Sequence, residues 1–165
     1  MKGEITCLSF VEPMLEQCSV YMLLGFSNGE VWVMDTRKKS FLYSIKLLDC
    51  AVHKIVSSVS RIVIEPSEDC TILAWELKKT INDFDYDASN PDYFFAGKPK
   101  KLSLDGWPSA SYYDETAAEA LFISNNNSIW LVNFIEELTV RLKSCHKPST
   151  SLNAVDFKYV SPNEY

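Results

Sequence analysis

The sequence predicts an all-β fold made of repeated four-stranded antiparallel blades. Three observations carry that expectation. First, an apolar strand that ends in a bulky residue followed by an acid or amide occurs three times: Val31-Trp32-Val33-Met34-Asp35, Ile72-Leu73-Ala74-Trp75-Glu76 and Ile129-Trp130-Leu131-Val132-Asn133. Second, the pairs 34/35 and 75/76 lie 41 residues apart, and the pair 132/133 follows 57 residues later, one more period plus a 16-residue insertion. Third, nine Phe, eight Tyr and four Trp suit strands, because large flat side chains fit a pleated surface. A strand-built repeat of roughly 40–45 residues marks a β-propeller. The expected architecture is an arc of about three four-stranded blades plus one extra strand, with the ring incomplete within this chain.

Blade one is expected over 1–48. Its first strand is Ile5 to Phe10 and its second Tyr21 to Phe26. Ser27-Asn28-Gly29 turns the chain, since Gly accepts positive φ without a steric penalty. The third strand is Glu30 to Asp35 and the fourth Phe41 to Leu47, joined by the polar loop Thr36-Arg37-Lys38-Lys39.

Blade two is expected over 49–104. Val52 to Ser58, Arg61 to Glu65 and Thr71 to Leu77 read as its first three strands. A tract at 80–99, rich in Asp, Asn and aromatic residues, then interrupts the rhythm. Loops beyond about 12–15 residues are commonly functional or disordered. Tyr86, Tyr93, Phe94 and Phe95 favour function, because a purely solvated loop carries few aromatics. Lys101 to Leu104 reads as the delayed fourth strand.

Blade three is expected over 105–146. Ser109 to Tyr113, Ala120 to Ser124, Ser128 to Phe134 and Thr139 to Lys143 are its strands. Asn125-Asn126-Asn127 supplies a turn, since Asn tolerates the left-handed region. Ser151 to Phe157, within 147–165, matches the first strand of a further blade. Propellers typically close with 4–8 blades, and an open arc exposes strand edges. The chain is therefore expected to be one arc of a ring whose remaining blades come from the same or another chain.

Charge and composition exclude some functions. The net charge is −6 with no long basic run, which argues against nucleic acid, whose binding needs clustered Lys and Arg. Lys98, Lys100 and Lys101 form one local basic cluster. Five cysteines at wide spacings, with no CxxC, read as reduced thiols of an intracellular protein. No signal-peptide pattern precedes the first strand. The apolar runs fall far short of the roughly 20 residues that span a bilayer, so no membrane is expected.

No catalytic or metal-binding set emerges. The two histidines, His53 and His146, sit near blade starts and read as structural or surface residues. Cys50 and His53 lack a second ligand pair for tetrahedral zinc. Asp83, Asp85, Asp87, Asn90 and Asp92 alternate like a calcium loop but lack its central Gly and final bidentate Glu. Five glycines leave little room for a phosphate cradle. No enzyme, cofactor or metal is expected. Trp32, Trp75 and Trp130 read as packing residues. Trp107, after a turn and before Pro108, reads as an exposed contact, and Trp is enriched at interface centres.

The repeats resemble WD40 repeats in degenerate form. Met34-Asp35, Trp75-Glu76 and Val132-Asn133 occupy the Trp-Asp station, and Cys145-His146 stands where Gly-His belongs. The usual His-to-Asp relay is thus mostly missing. Leu104-Asp105-Gly106, Ala120 to Ser124, Ser128 to Phe134 and Val140 to His146 are further similar to one blade of the WD repeat-containing protein 90 family, over about 45 residues. Here Phe134 replaces a Trp and Cys145 a Gly. The resemblance implies a non-enzymatic scaffold of the cytoskeleton at a cilium, axoneme, doublet microtubule or centriole. Its implied partners are other proteins of a large assembly, among them tubulin or microtubule-associated proteins. Tyr86, Tyr93, Phe94, Phe95, Lys98, Lys100, Lys101 and Trp107 are the candidate protein-binding residues. Because tubulin's surface is acidic too, broad charge attraction is not expected, and contact would run through local lysines such as Lys98 to Lys101 or through other proteins. The alternative is a WD40 adaptor that reads a peptide or protein in trafficking or ubiquitin pathways.

Overall fold

The structure is a computed structural model; it describes residues 3–11, 20–58, 60–77, 89–114, 116–126, 128–136 and 138–142. It holds three four-stranded antiparallel sheets, and the chain divides into two compact units, Met1–Ser103 and Leu104–Tyr165.

The first unit contains two sheets. One orders β1 (Ile5–Val11), β2 (Tyr21–Phe26), β3 (Glu30–Asp35) and β4 (Ser40–Lys46) in sequence. The other orders β5 (Val52–Ser57), β6 (Arg61–Pro66), β7 (Thr71–Glu76) and β8 (Lys100–Ser103). The second unit is a single meander of β9 (Pro108–Asp114), β10 (Glu119–Ser124), β11 (Ile129–Asn133) and β12 (Leu138–Leu142). Every expected strand of the three blades ends within one residue of an observed one. The strand expected at 151–157 lies outside the described residues.

Local chemistry explains the turns. Gly29 has φ +81°, and a side chain there would run into the carbonyl oxygens of Leu48 and Cys50. Asn28 Oδ1 accepts from Glu30 N at 3.2 Å, an Asx turn that starts β3. The closing acid or amide of the repeated tract has a structural task. Asp35 Oδ1 accepts from Lys38 N at 2.9 Å, and Asn133 Oδ1 accepts from Ile135 N at 3.0 Å and Glu136 N at 2.9 Å. Both residues cap the turn between the third and fourth strands of their sheets. In the middle copy Glu76 makes no such cap among the described bonds; its carboxylate meets Lys100 Nζ at 2.8 Å, and the long insertion follows it.

The core of the first unit lies between its two sheets. Val11, Tyr21, Leu23, Val31 and Val33 face Val52, Ile55, Ile62, Ile64, Leu73 and Trp75. Burying side chains of this size contributes roughly 1.5–3 kcal/mol each. The inner strands run side by side: Thr6 Oγ1 donates to Val52 O at 2.5 Å, and the Ser9 and Ser57 hydroxyls meet at 2.7 Å. Gly25 permits this approach, because a Cβ there would overlap Cys7 Sγ and Val52 Cγ1.

Candidate interaction surface

In the second unit the connection Asp105-Gly106-Trp107 lies against the turn between β10 and β11. Asn125 N donates to Trp107 O at 2.9 Å. The Asn125 side chain packs directly over Gly106, so that a Cβ there would displace its Oδ1. The Asp105 carboxylate anchors the connection. It accepts from Ser128 Oγ at 2.7 Å, Trp130 Nε1 at 2.9 Å and Ser124 Oγ at 3.0 Å. Arg141 Nη2 lies 3.4 Å from the same group and donates to Ser128 Oγ at 2.7 Å. Asn126 Nδ2 donates to the Asp105 carbonyl at 3.2 Å. Burial pushes the Asp105 carboxyl up, but the bonds from Ser128, Trp130, Ser124 and Asn126 outweigh it and bring it down to about 2. The group is held as a carboxylate, and its donors immobilise the turn.

Beside this node Trp107 is 42% exposed. A large aromatic on a pinned backbone loses little freedom when a partner covers it, which is the condition for an efficient contact. The arrangement suits recognition by shape and aromatic contact.

The other candidate residues fall differently. Phe94 and Phe95, expected to be presented to partners, are buried in the core of the first unit. Asn90 caps a 3₁₀ turn at Pro91–Tyr93, and the turn drives the two rings inward. Phe94 meets Tyr21 edge-on at 5.2 Å, and Phe95 meets Trp75 at 5.2 Å. They correct the expectation: the rings fill the inter-sheet core. Tyr93 is half-buried, 6.1 Å from Tyr21. Tyr86 lies outside the described residues. The lysine cluster is also divided. Lys100 and Lys101 are neighbours on β8, so the pleat sends them to opposite faces. Lys100 pairs with Glu76, whereas Lys98 and Lys101 are exposed.

Trp75 is buried, as packing requires, and Trp32 lies 4.9 Å from Phe26 and 5.0 Å from Phe41. His53 is exposed on β5; His146 lies outside the described residues, as do Asp83, Asp85 and Asp87. Among the described residues no group of three or more His, Cys, Asp or Glu side chains is placed to hold a metal, and no helix is long and apolar enough to cross a membrane. Cys7, Cys50 and Cys70 are unbridged.

Sequence reading missed the Asp105 node. One signal was present. Ser124, Ser128, Trp130 and Arg141 share one face of the meander by strand alternation, and an Asp stands in the connection before it.

No family profile matches the chain, and no curated protein does. Solved structures do. The β-propeller domain of Cps50 (Swd1) from Myceliophteria thermophila superposes with a TM-score of 0.66 at 14% identity, over 88% of this chain and 45% of that one. The computationally designed Ika4 protein superposes with a TM-score of 0.60 at 14% identity, over 96% of this chain and 82% of that one. The fold is thus that of a β-propeller, built here from three four-stranded sheets. The chain spans less than half the length of the Cps50 domain it matches.

Proposed function

We propose that the chain is a non-enzymatic interaction scaffold that docks into a large cytoskeletal assembly, at a ciliary axoneme, doublet microtubule or centriole. The observation that carries the docking role is Trp107, exposed on a connection that the Asp105 node and Asn125 hold in place. The cytoskeletal setting is supported by the resemblance of the stretch from Leu104 to His146 to a blade of the WD repeat-containing protein 90 family. Lys98 and Lys101 supply the exposed positive charge for contact with an acidic filament surface.

The test expresses a tagged chain in ciliated cells and follows it against axonemal and centriolar markers. The wild type is expected at one of these structures. Trp107→Ala is expected to keep its melting temperature and to lose at least tenfold of that enrichment. Diffuse wild-type chain, or a Trp107→Ala variant enriched like the wild type, contradicts the proposal.

A further inference from the structure

The sheet of the second unit carries an apolar face that its own strands leave partly open. On the side opposite the Asp105 node, one row runs Tyr112, Leu121, Leu131, Val140, and the next runs Ala110, Ile123, Ile129, Leu142. No charged side chain interrupts either row. Contiguous apolar patches of this kind mark interaction sites.

The first sheet shows what such a face receives. Aligning Met34-Asp35 with Val132-Asn133 sets Leu131 at the station of Val33 and Ile129 at that of Val31. Strand pairing then matches the two rows to Ser9, Leu23, Val33, Tyr43 and to Cys7, Gly25, Val31, Ile45. In the first sheet this face is covered. Leu23, Val31 and Val33 are 0% exposed, and the next strand along the chain, β5, lies on the face through Val52 and Ile55. In the third sheet Leu121, Ile129 and Leu131 are only half-buried, and Val140 and Leu142 are exposed. Equivalent stations with the same apolar chemistry and different burial point to a further cover.

We propose that residues 152–157 are that cover, lying along β9 over this face as β5 lies along β1. Two observations choose this occupant. First, Leu152-Asn153-Ala154-Val155-Asp156-Phe157 repeats the order of Ile5-Thr6-Cys7-Leu8-Ser9-Phe10 in β1: apolar, polar, small, apolar, polar, Phe. Leu8 pairs with Leu24 as Ile55 pairs with Ile64, so Val155 takes the station of Ile55 and Leu152 that of Val52. Those are the two side chains of β5 that enter the core of the first unit. Second, the chain reaches. Five residues, 47–51, suffice between β4 and β5, and nine, 143–151, separate β12 from Leu152. Crossing from β12 to β9 takes three strand spacings, about 14 Å, and stepping up one layer takes about 10 Å. Nine extended residues span roughly 30 Å. Ile123 stands where the first sheet has Gly25, so Leu152 meets a side chain where Val52 meets backbone. Sheet and segment both fall within Leu104–Tyr165. The inference goes beyond the scaffold reading and does not depend on it.

The test records methyl NMR spectra of the full chain. Nuclear Overhauser cross-peaks are expected from the Leu152 and Val155 methyls to those of Leu121 and Leu131. An isotope-filtered spectrum of mixed labelled and unlabelled chain is expected to show none of them, which places the contact within one copy. Val155→Asp is expected to lose the Leu152 cross-peaks and to keep those that join β10 to β11, which report that the sheet is folded. Absence of the cross-peaks in the wild type, cross-peaks that arise only between copies, or Leu152 cross-peaks that survive Val155→Asp overturn the proposal. The wild-type spectrum decides the placement by itself if the variant does not fold.

Discussion

Trp130 Nε1 donates to Asp105 Oδ1 across 2.9 Å, joining β11 to the connection that leads into β9. The two segments are separated in the sheet by β10. Ser124 at the end of β10 and Arg141 on β12 reach the same carboxylate, so one side chain gathers groups from three strands. This clasp gives Trp107 a fixed base. Asp105 therefore fixes the backbone from which Trp107 projects.

Replacement of Asp105 tests the clasp. Asp105→Ala leaves Ser124 and Ser128, both buried, without their charged acceptor, and is expected to cost about 1–3 kcal/mol. The pH dependence has a definite sign. The carboxyl lies at about 2 in the fold against an ordinary 3.8. Its stabilising contribution is complete above the ordinary value and is lost as the pH falls through about 2. Thermal melts between neutral and strongly acid pH are expected to show the wild type losing its advantage over Asp105→Ala in that window. Parallel curves for the two proteins throughout would remove the clasp.

The aromatic residues divide into core and surface, and substitution separates them. Phe94→Ala and Phe95→Ala each empty a buried site, at an expected cost of about 3–5 kcal/mol. Trp107→Ala removes an exposed ring and is expected to change stability by less than about 0.5 kcal/mol. Denaturant unfolding of the three variants checks the contrast. Phe94 and Phe95 variants as stable as the wild type would place those rings outside the core.

What was legible in the sequence follows from how local each signal is. Strands and turns are written in neighbouring residues. Two apolar runs mark β2 and β3, and Asn28-Gly29 fixes the turn between them, so their ends were read correctly. The recurrence of Asp35 and Asn133 was visible too, although its meaning as a turn cap was not. The fate of Phe94 and Phe95 was illegible, because composition alone says only that a loop is aromatic. Whether its rings turn in depends on the open end of a core built by Tyr21 and Trp75, far away in sequence. Asp105 escaped for the same reason: its donors Ser124, Ser128 and Trp130 lie 19, 23 and 25 residues further on.

The Tyr43 hydroxyl tests how the core treats polar atoms. It is buried and has no hydrogen-bond partner among the described residues. Burial, with Asp92 nearby, pushes its ionisation well above the ordinary tyrosine range, so it stays neutral. Tyr43→Phe deletes the unpaired oxygen and keeps the ring. The expected result is equal or greater stability, by up to about 1 kcal/mol. A loss of more than that amount in denaturant unfolding would mean that the hydroxyl is satisfied in solution.

The repeated acid or amide yields a test that compares three equivalent stations. Asp35 is buried and caps its turn through Lys38 N, with the Lys38 ammonium 3.9 Å away. Asn133 caps with two backbone donors and carries no charge. Glu76 pairs with Lys100 at the surface, and that hydrogen bond holds its carboxyl below the usual range. Removing a cap exposes backbone donors that no strand can satisfy, so Asp35→Ala and Asn133→Ala are each expected to cost about 1 kcal/mol. Glu76→Ala loses an exposed ion pair, worth between nothing and about 1 kcal/mol. Salt separates them further. Screening weakens the Glu76 contribution, changes that of the uncharged Asn133 little, and touches that of Asp35 through the exposed Lys38. Unfolding of the three variants at low and high ionic strength reads out the difference. An Asn133→Ala cost that fades with salt, or a Glu76→Ala cost that does not, would show that the station is electrostatic and not a backbone cap.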